Sequence, residues 1–263
     1  MNILLTNDDG FDSPGIRILA KHLVSIANLW ASIPREQQSA TGHGISVREV
    51  LHVREEHMEG VQRAWSVDGK PVDCVKLAFL SLMTEPIDLV ISGINEGTNL
   101  GTDTLYSGTV AGAMEGALNG TPAIALSLAT GSKKEEEWHF EAAAQVCLAL
   151  IRKWEAGLLP IPPMTILNVN VPDLPADQCK GFKAARLGVQ RYSDIYEILE
   201  EGPSGCRYRL KGERLPSYDK AIDLDIVALS EGYVTVTPLS ANRTDTALLE
   251  EISKYLQNAI PQP

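Results

Sequence analysis

The chain opens with Asn2–Thr6, a run centred on Ile3-Leu4-Leu5 that stops abruptly at Asn7-Asp8-Asp9-Gly10. It lacks the polar alternation of a half-exposed strand and reads as one buried on both faces. Asp12-Ser13-Pro14 then offers a helix start, with proline near the first turn. Ile16, Leu19, Ala20, Leu23 and Ile26 follow at helical spacing, which predicts a helix to about Asn28. Residues 29–33 form a second short apolar run, closed by Pro34. Two fully apolar strands joined by a helix make a βαβ unit, and that unit demands a parallel sheet covered on both sides.

The same alternation continues. Residues 44–67 alternate apolar with charged side chains and predict a β-hairpin or pair of short strands beside the sheet. A helix is expected over 72–83 behind Pro71, a core strand over 88–92 and a Gly-rich loop from Gly93 to Tyr106. A helix of small residues follows at 109–118, ended by Asn119-Gly120. Further elements are strand 123–128, helix 135–156 and strand 165–171. After Pro172 the pattern changes to short alternating segments, among them 208–210, 222–228 and 233–238, before a closing helix at Thr246–Leu256. The expected fold is therefore α/β: a Rossmann-like, doubly wound, mostly parallel sheet core with an appended β-hairpin region and a C-terminal helix. Residues 1–263 read as a single domain, with 1–172 as core and 173–263 as the extension.

A net charge of −11 repels duplex nucleic acid, whose binding needs Lys and Arg to neutralise phosphates. Met1–Thr6 lacks the basic flank of a signal peptide, and no apolar stretch is long enough to span a bilayer. The four cysteines, Cys74, Cys147, Cys179 and Cys206, include no close-spaced pair of the zinc or thioredoxin kind. A cytoplasmic protein without membrane contact is the expectation.

Four polar clusters stand just past predicted strands or at a helix start: Asn7-Asp8-Asp9-Gly10, Gln38-Ser39-Ala40, Ser92-Gly93-Ile94-Asn95 and Tyr106-Ser107-Gly108-Thr109. In open α/β sheets ligands bind beyond the carboxyl ends of the strands, where all four would meet. Adjacent carboxylates repel unless a cation offsets them. Two carboxylates, a hydroxyl and an amide oxygen, without His or Cys, favour Mg²⁺ or Mn²⁺ over zinc. Ser107-Gly108-Thr109 opens a helix whose free N–H groups suit a phosphate. Read singly, these residues are ordinary turn formers and caps; their weight comes from joint placement. The chemistry they imply is metal-dependent hydrolysis of a phosphate ester, with Asp8, Asp9 and Asn95 as catalytic candidates. His43, between Gly42 and Gly44, is a candidate general acid or part of a mobile lid.

The blocks Leu4-Leu5-Thr6-Asn7-Asp8-Asp9-Gly10, Gln38-Ser39-Ala40-Thr41-Gly42, Ser92-Gly93-Ile94-Asn95-Glu96-Gly97 and Tyr106-Ser107-Gly108-Thr109-Val110 resemble those of the SurE nucleotidase family. The resemblance extends to residues 232–239. It implies a metal-dependent phosphatase of nucleoside 5′- and 3′-monophosphates, with short polyphosphate as a further substrate of some members. It also implies Asp8, Asp9, Ser39 and Asn95 as metal ligands. Homodimers or homotetramers, clasped through the hairpin and C-terminal helix, are implied as well. Residues 186–212 depart from the family's usual Tyr- and Trp-containing stretch.

Two rival readings are a receiver-type signalling domain that accepts a phosphoryl group without being an enzyme, and a nucleotide-binding module. The receiver needs a third Asp past a central strand and a later Lys, which Ser92-Gly93 and strand 123–128 do not supply. The dinucleotide binder wants a Gly-rich turn where this chain has Asp8-Asp9.

Overall fold

The computed structural model describes residues 1–131 and 138–256. β1 (Asn2–Thr6) leads through α1 (Pro14–Leu23) to β2 (Asn28–Pro34). The chain continues as β3 (Val53–Glu56), β4 (Arg63–Val67), α2 (Pro71–Leu77), β5 (Leu89–Glu96) and α3 (Gly108–Leu118). β6 (Ala123–Ala129), α4 (Phe140–Glu155) and β7 (Thr165–Pro172) follow. Beyond them lie β8 (Phe182–Ala184), β9 (Arg191–Tyr192), β10 (Ile195–Gly202), β11 (Gly205–Lys211) and β12 (Arg214–Leu215). α5 (Asp225–Ser230), β13 (Val234–Ser240) and α6 (Thr246–Leu256) complete the described chain.

Nine strands form one sheet in the order β3-β4-β2-β1-β5-β6-β7-β13-β8. The six from β4 to β7 run parallel, and β3 and β13 are antiparallel to their neighbours β4 and β7. From β1 the chain first winds outward to β2 on one side and later to β5 on the other. The gap between β1 and β5 is thus the topological switch point, where the loops part and leave a crevice.

Each strand face feeds its own core. Ile3, Leu5, Ile91 and Leu126 pack with Ile16 and Leu19 of α1 and Phe140 and Cys147 of α4. Leu4, Val90 and Ala125 face the other way, against Val75 of α2 and Ala113, Met114 and Ala117 of α3. The small residues of α3 have a physical purpose: a Cβ on Gly116 would stand 2.7 Å from Val90 Cγ2. Close approach buries almost the whole of α3, so the charge it carries at Glu115 is buried too.

The α/β sheet matches the sequence expectation; several boundaries do not. α1 ends at Leu23 rather than near Asn28, because Asn28 N–H donates to the Met1 carbonyl and already belongs to the sheet. The helix after Pro71 gives way at Ala78–Leu82 to a wider π-type turn. Residues 44–52 form no regular element, and the hairpin is confined to β3 and β4, with β4 joined to β2. Segment 222–228 is not a strand. Its second half is α5, fixed because the buried Asp225 carboxylate accepts N–H bonds from Gly101, Gly188 and Ile226. The expected start of helix 135–156 lies outside the described residues, and α4 begins at Phe140. Residues beyond 172 return β13 and β8 to the main sheet, while β10 and β11 form a separate hairpin. Among the described residues no helix is long and apolar enough to cross a membrane.

Candidate active site at the switch point

The turn after β1 is closed by the buried Asn7 side chain, which donates to the Gly10 carbonyl and accepts from Gly10 N–H. Gln38 N–H donates to the Asp8 carbonyl at 2.7 Å, which stitches the loop after β2 to this turn. Ser39, the next residue, is exposed beside that bond.

Asp8 is 5% exposed. Its Oδ1 accepts from Thr109 Oγ1 at 2.5 Å, and it also accepts from the backbone N–H groups of Gly108 and Thr109. A Cβ on Gly108 would lie 2.8 Å from both Asp8 Cβ and Oδ2, so only glycine lets the helix start approach the acid this closely. α3 therefore aims its positive end at Asp8. Burial raises the Asp8 pKa, and these hydrogen bonds oppose that rise. The sequence expected Ser107, Gly108 and Thr109 to bind phosphate. In the folded chain the Thr109 hydroxyl and both N–H groups engage the Asp8 carboxylate. Ser107 Oγ caps the helix by accepting from Val110 N–H, and its own O–H is free to donate.

Asp9 is half-buried; its Oδ2 accepts from Glu96 N–H at 3.0 Å and its carboxylate also bonds the Gln37 side chain. Burial, and then the neighbouring Asp8 charge, push its pKa up to about 7. The bond to Glu96 brings in Asn95. The sequence placed Asn95 in a loop, but β5 runs on through it to Glu96. The strand survives Gly93 because that residue takes φ +136 and its missing Cβ leaves room for the Leu126 carbonyl. The β5–β6 register slips between Ser92 and Asn95, which re-aims the strand end toward Asp9. Asn95 Nδ2 donates to the Gly97 carbonyl at 2.9 Å, so Oδ1 is left as an acceptor.

Among the described residues no group of three or more His, Cys, Asp or Glu is placed to hold a metal. A cation here would take two carboxylates and complete its shell with neutral oxygens, from Asn95 Oδ1, Ser39 and water. That donor set fits a hard divalent cation, and the mutual repulsion of Asp8 and Asp9 is what such an ion relieves.

His43 borders a small pocket with Ser107, Val110 and Met114. Its Nε2 lies 3.1 Å from Glu115 Oε2, while Glu115 Oε1 accepts from Lys76 Nζ at 2.9 Å and from Asn119. Burial works to raise the Glu115 pKa, but the bonds from His43 and Lys76 outweigh it and hold the group below its usual value. Sequence reasoning missed Glu115, although a lone charge in a helix of small apolar residues was the available signal. It also missed the asparagines that pin the loop after β5. Asn99 N–H donates to Asn170 Oδ1, its side chain donates to Ser127 Oγ, and its carbonyl accepts from Asn168 and Asn170. Two asparagines two apart within an otherwise apolar strand were the clue there.

A model of the family described as "Survival protein SurE" matches residues 3–194. The chain is 42% identical over 264 residues to 5'-nucleotidase SurE of Heliobacterium modesticaldum, covering 97% of this chain and 92% of that protein. It is 40% identical over 257 residues to 5'-nucleotidase SurE of Moorella thermoacetica, covering 97% and 96%. The crystal structure of SurE protein from Aquifex aeolicus superposes with a TM-score of 0.81 at 36% identity, covering 97% of this chain and 99% of that one. With its switch-point acids, its sheet and these relatives in agreement, the chain belongs to the SurE family.

Proposed function

We propose that this chain is a 5′-nucleotidase, a metal-dependent phosphatase that converts nucleoside 5′-monophosphates, and 3′-monophosphates, to nucleoside and phosphate. The observation that carries the reading is the pair Asp8–Asp9 at the switch point, one acid gripped by the start of α3 and the other tied to the Asn95 strand end. The 5′-nucleotidase relatives at about 40% identity support it. Short polyphosphate is a secondary substrate on the same reading.

Asp8, Asp9, Ser39 and Asn95 would hold Mg²⁺ or Mn²⁺. When bound, the ion supplies Lewis-acid polarisation of a phosphoryl oxygen and acidifies a water. Asp8, with its oxygen fixed by Thr109, is the rigid member of the pair. Asp9 has fewer bonds, which supports it over Asp8 as the carboxylate that accepts the proton of the attacking water. The Ser107 hydroxyl and the positive end of α3 stabilise charge on the phosphoryl oxygens, along with Asn95. His43, with its Nε2 held toward Glu115, serves on the leaving-group side and delivers a proton to the ribose oxygen.

The remaining expectations belong to the same reading. Exposed Ile195, Tyr196 and Ile198 on the hairpin, and Leu248, Leu249 and Ile252 on α6, support a homodimer or homotetramer built around one domain. Four free cysteines suit a reducing, cytoplasmic setting.

Asp8→Asn tests the centre of this proposal. The variant is expected to fold, with phosphatase activity toward AMP lowered by about a thousandfold or more. EDTA should abolish wild-type turnover, and Mn²⁺ or Mg²⁺ should restore it. Near-normal turnover by the variant, or full activity in EDTA, would overturn the assignment.

A further inference from the structure

We propose that the cleft running from Ser107 down the side of α3 is the seat of the substrate's nucleoside. Its base would rest on Leu105, Val110, Met114 and Leu239, beneath the guanidinium of Arg243. The proposal builds on the nucleotidase reading and adds where the base lies.

Position is the first argument. Ser107 caps α3 where that helix meets Asp8, and Val110 and Met114 lie one and two turns further down. The small pocket bordered by His43 and Ser107 shares Leu105, Val110, Met114 and Arg243 with a larger cleft of about 440 Å³. A nucleoside seated against that shared wall lies beside the end of α3 that meets Asp8. That volume lies within the range of ordinary small-molecule sites.

Charge is the second. This chain carries 34 acidic against 23 basic residues, yet the cleft lining includes Arg186 and Arg243 and no carboxylate. Three other clefts each include a carboxylate, Asp173, Glu231 or Asp219, beside their own arginine or lysine. A lining whose only charged residues are cationic suits an anionic nucleotide.

An unengaged cation is the third. Arg186 is engaged by Asp223 and Asp219. Arg243 makes no ion pair or hydrogen bond among the described residues, which frees its planar cation to stack on a base.

Ribose 5-phosphate has the ester and sugar of AMP but no base, so comparing the two substrates isolates the cleft from the phosphate site. Met114→Trp, which fills the cleft, should raise KM for AMP about tenfold. Arg243→Ala should raise it about three- to tenfold. Both should leave kcat/KM for ribose 5-phosphate within about twofold of wild type. A thermal melt checks the folding of the Trp variant, and Arg243 is exposed, so its removal tests the cleft even if the Trp variant misfolds. An unchanged KM for AMP in Arg243→Ala overturns the proposal, as does an equal loss on both substrates. Loss of tripolyphosphate hydrolysis in step with AMP assigns the cleft to a phosphate chain and overturns it too. If wild type hydrolyses neither AMP nor ribose 5-phosphate, the nucleotidase reading itself fails. Ligand-observed NMR of adenosine with metal-free protein then decides the cleft alone: binding lost in Arg243→Ala supports it, and no binding rejects it.

Discussion

Replacing Asp9 with asparagine should stabilise the metal-free protein above neutral pH while removing its activity. Asp9 titrates at about 7 in the folded chain, against 3.8 for the unperturbed group. Between those values the folded state keeps a proton that the unfolded state has lost. Stability therefore falls as pH rises from about 4 to about 7, and the penalty is constant above that. Below about 4 both states are protonated and the penalty vanishes. The gap, at about 1.36 kcal/mol per pH unit, amounts to about 4 kcal/mol, and coupling to Asp8 makes that an upper bound. Asparagine is isosteric and still accepts from Glu96 N–H, so on the order of 2–4 kcal/mol should be recovered.

At about 2–4 °C per kcal/mol for a chain of this size, Asp9→Asn should melt about 5–15 °C higher than wild type at pH 8 in EDTA. The difference should be largely gone at pH 4. Excess Mn²⁺ should raise the wild-type midpoint and shrink the gap, because the ion relieves the repulsion that the substitution removes. Differential scanning calorimetry at the two pH values measures this directly. Superposable wild-type and variant melts at pH 8 in EDTA, or a variant that melts lower, would refute the argument that the two acids are held together against their charge.

Gly108→Ala should fold with a loss of about 1–3 kcal/mol in a denaturant titration, because the new Cβ meets Asp8 at 2.8 Å. The displaced acid should lower kcat by about a hundredfold. Unchanged turnover would show that the contact is not needed. His43→Gln should lower kcat for AMP by about a hundredfold but alter p-nitrophenyl phosphate turnover by less than about threefold, since nitrophenolate leaves without a proton. Parallel losses on the two esters would end the leaving-group role.

How much of this was legible in the sequence depended on whether the signal was local. The core strands announce themselves because a strand covered on both faces must be apolar throughout, as Ile3-Leu4-Leu5 is. Asp8 and Asp9 were legible for the opposite reason, two charges where a buried strand ends. Elements decided by distant partners were not. α5 is too short to show a helical stripe, and it exists because Asp225 is tied to Gly101 and Gly188, far away in sequence. β5 continues past Gly93 only because Leu126 fills the space that a side chain would occupy. The cleft along α3 is assembled from segments around Leu105, Arg186 and Arg243, which no spacing rule relates.

The start of α3 shows what a sequence leaves open about a helix N-terminus. Ser-Gly-Thr at a helix N-terminus suits any anion, and the sequence cannot say which anion arrives. In the folded chain the Thr109 hydroxyl and the first N–H groups meet the Asp8 carboxylate, while the Ser107 O–H stays free to donate. A phosphate approaching the crevice meets Asp8 and Asp9 in a chain of net charge −11, and Coulomb repulsion works against it. On the proposed metal-dependent reading, the site becomes hospitable to a phosphate ester once a divalent cation has added two positive charges between the acids. Asp8 is fixed by hydrogen bonds rather than by a lysine or arginine, which on that reading leaves the cation as the partner that favours its charged form.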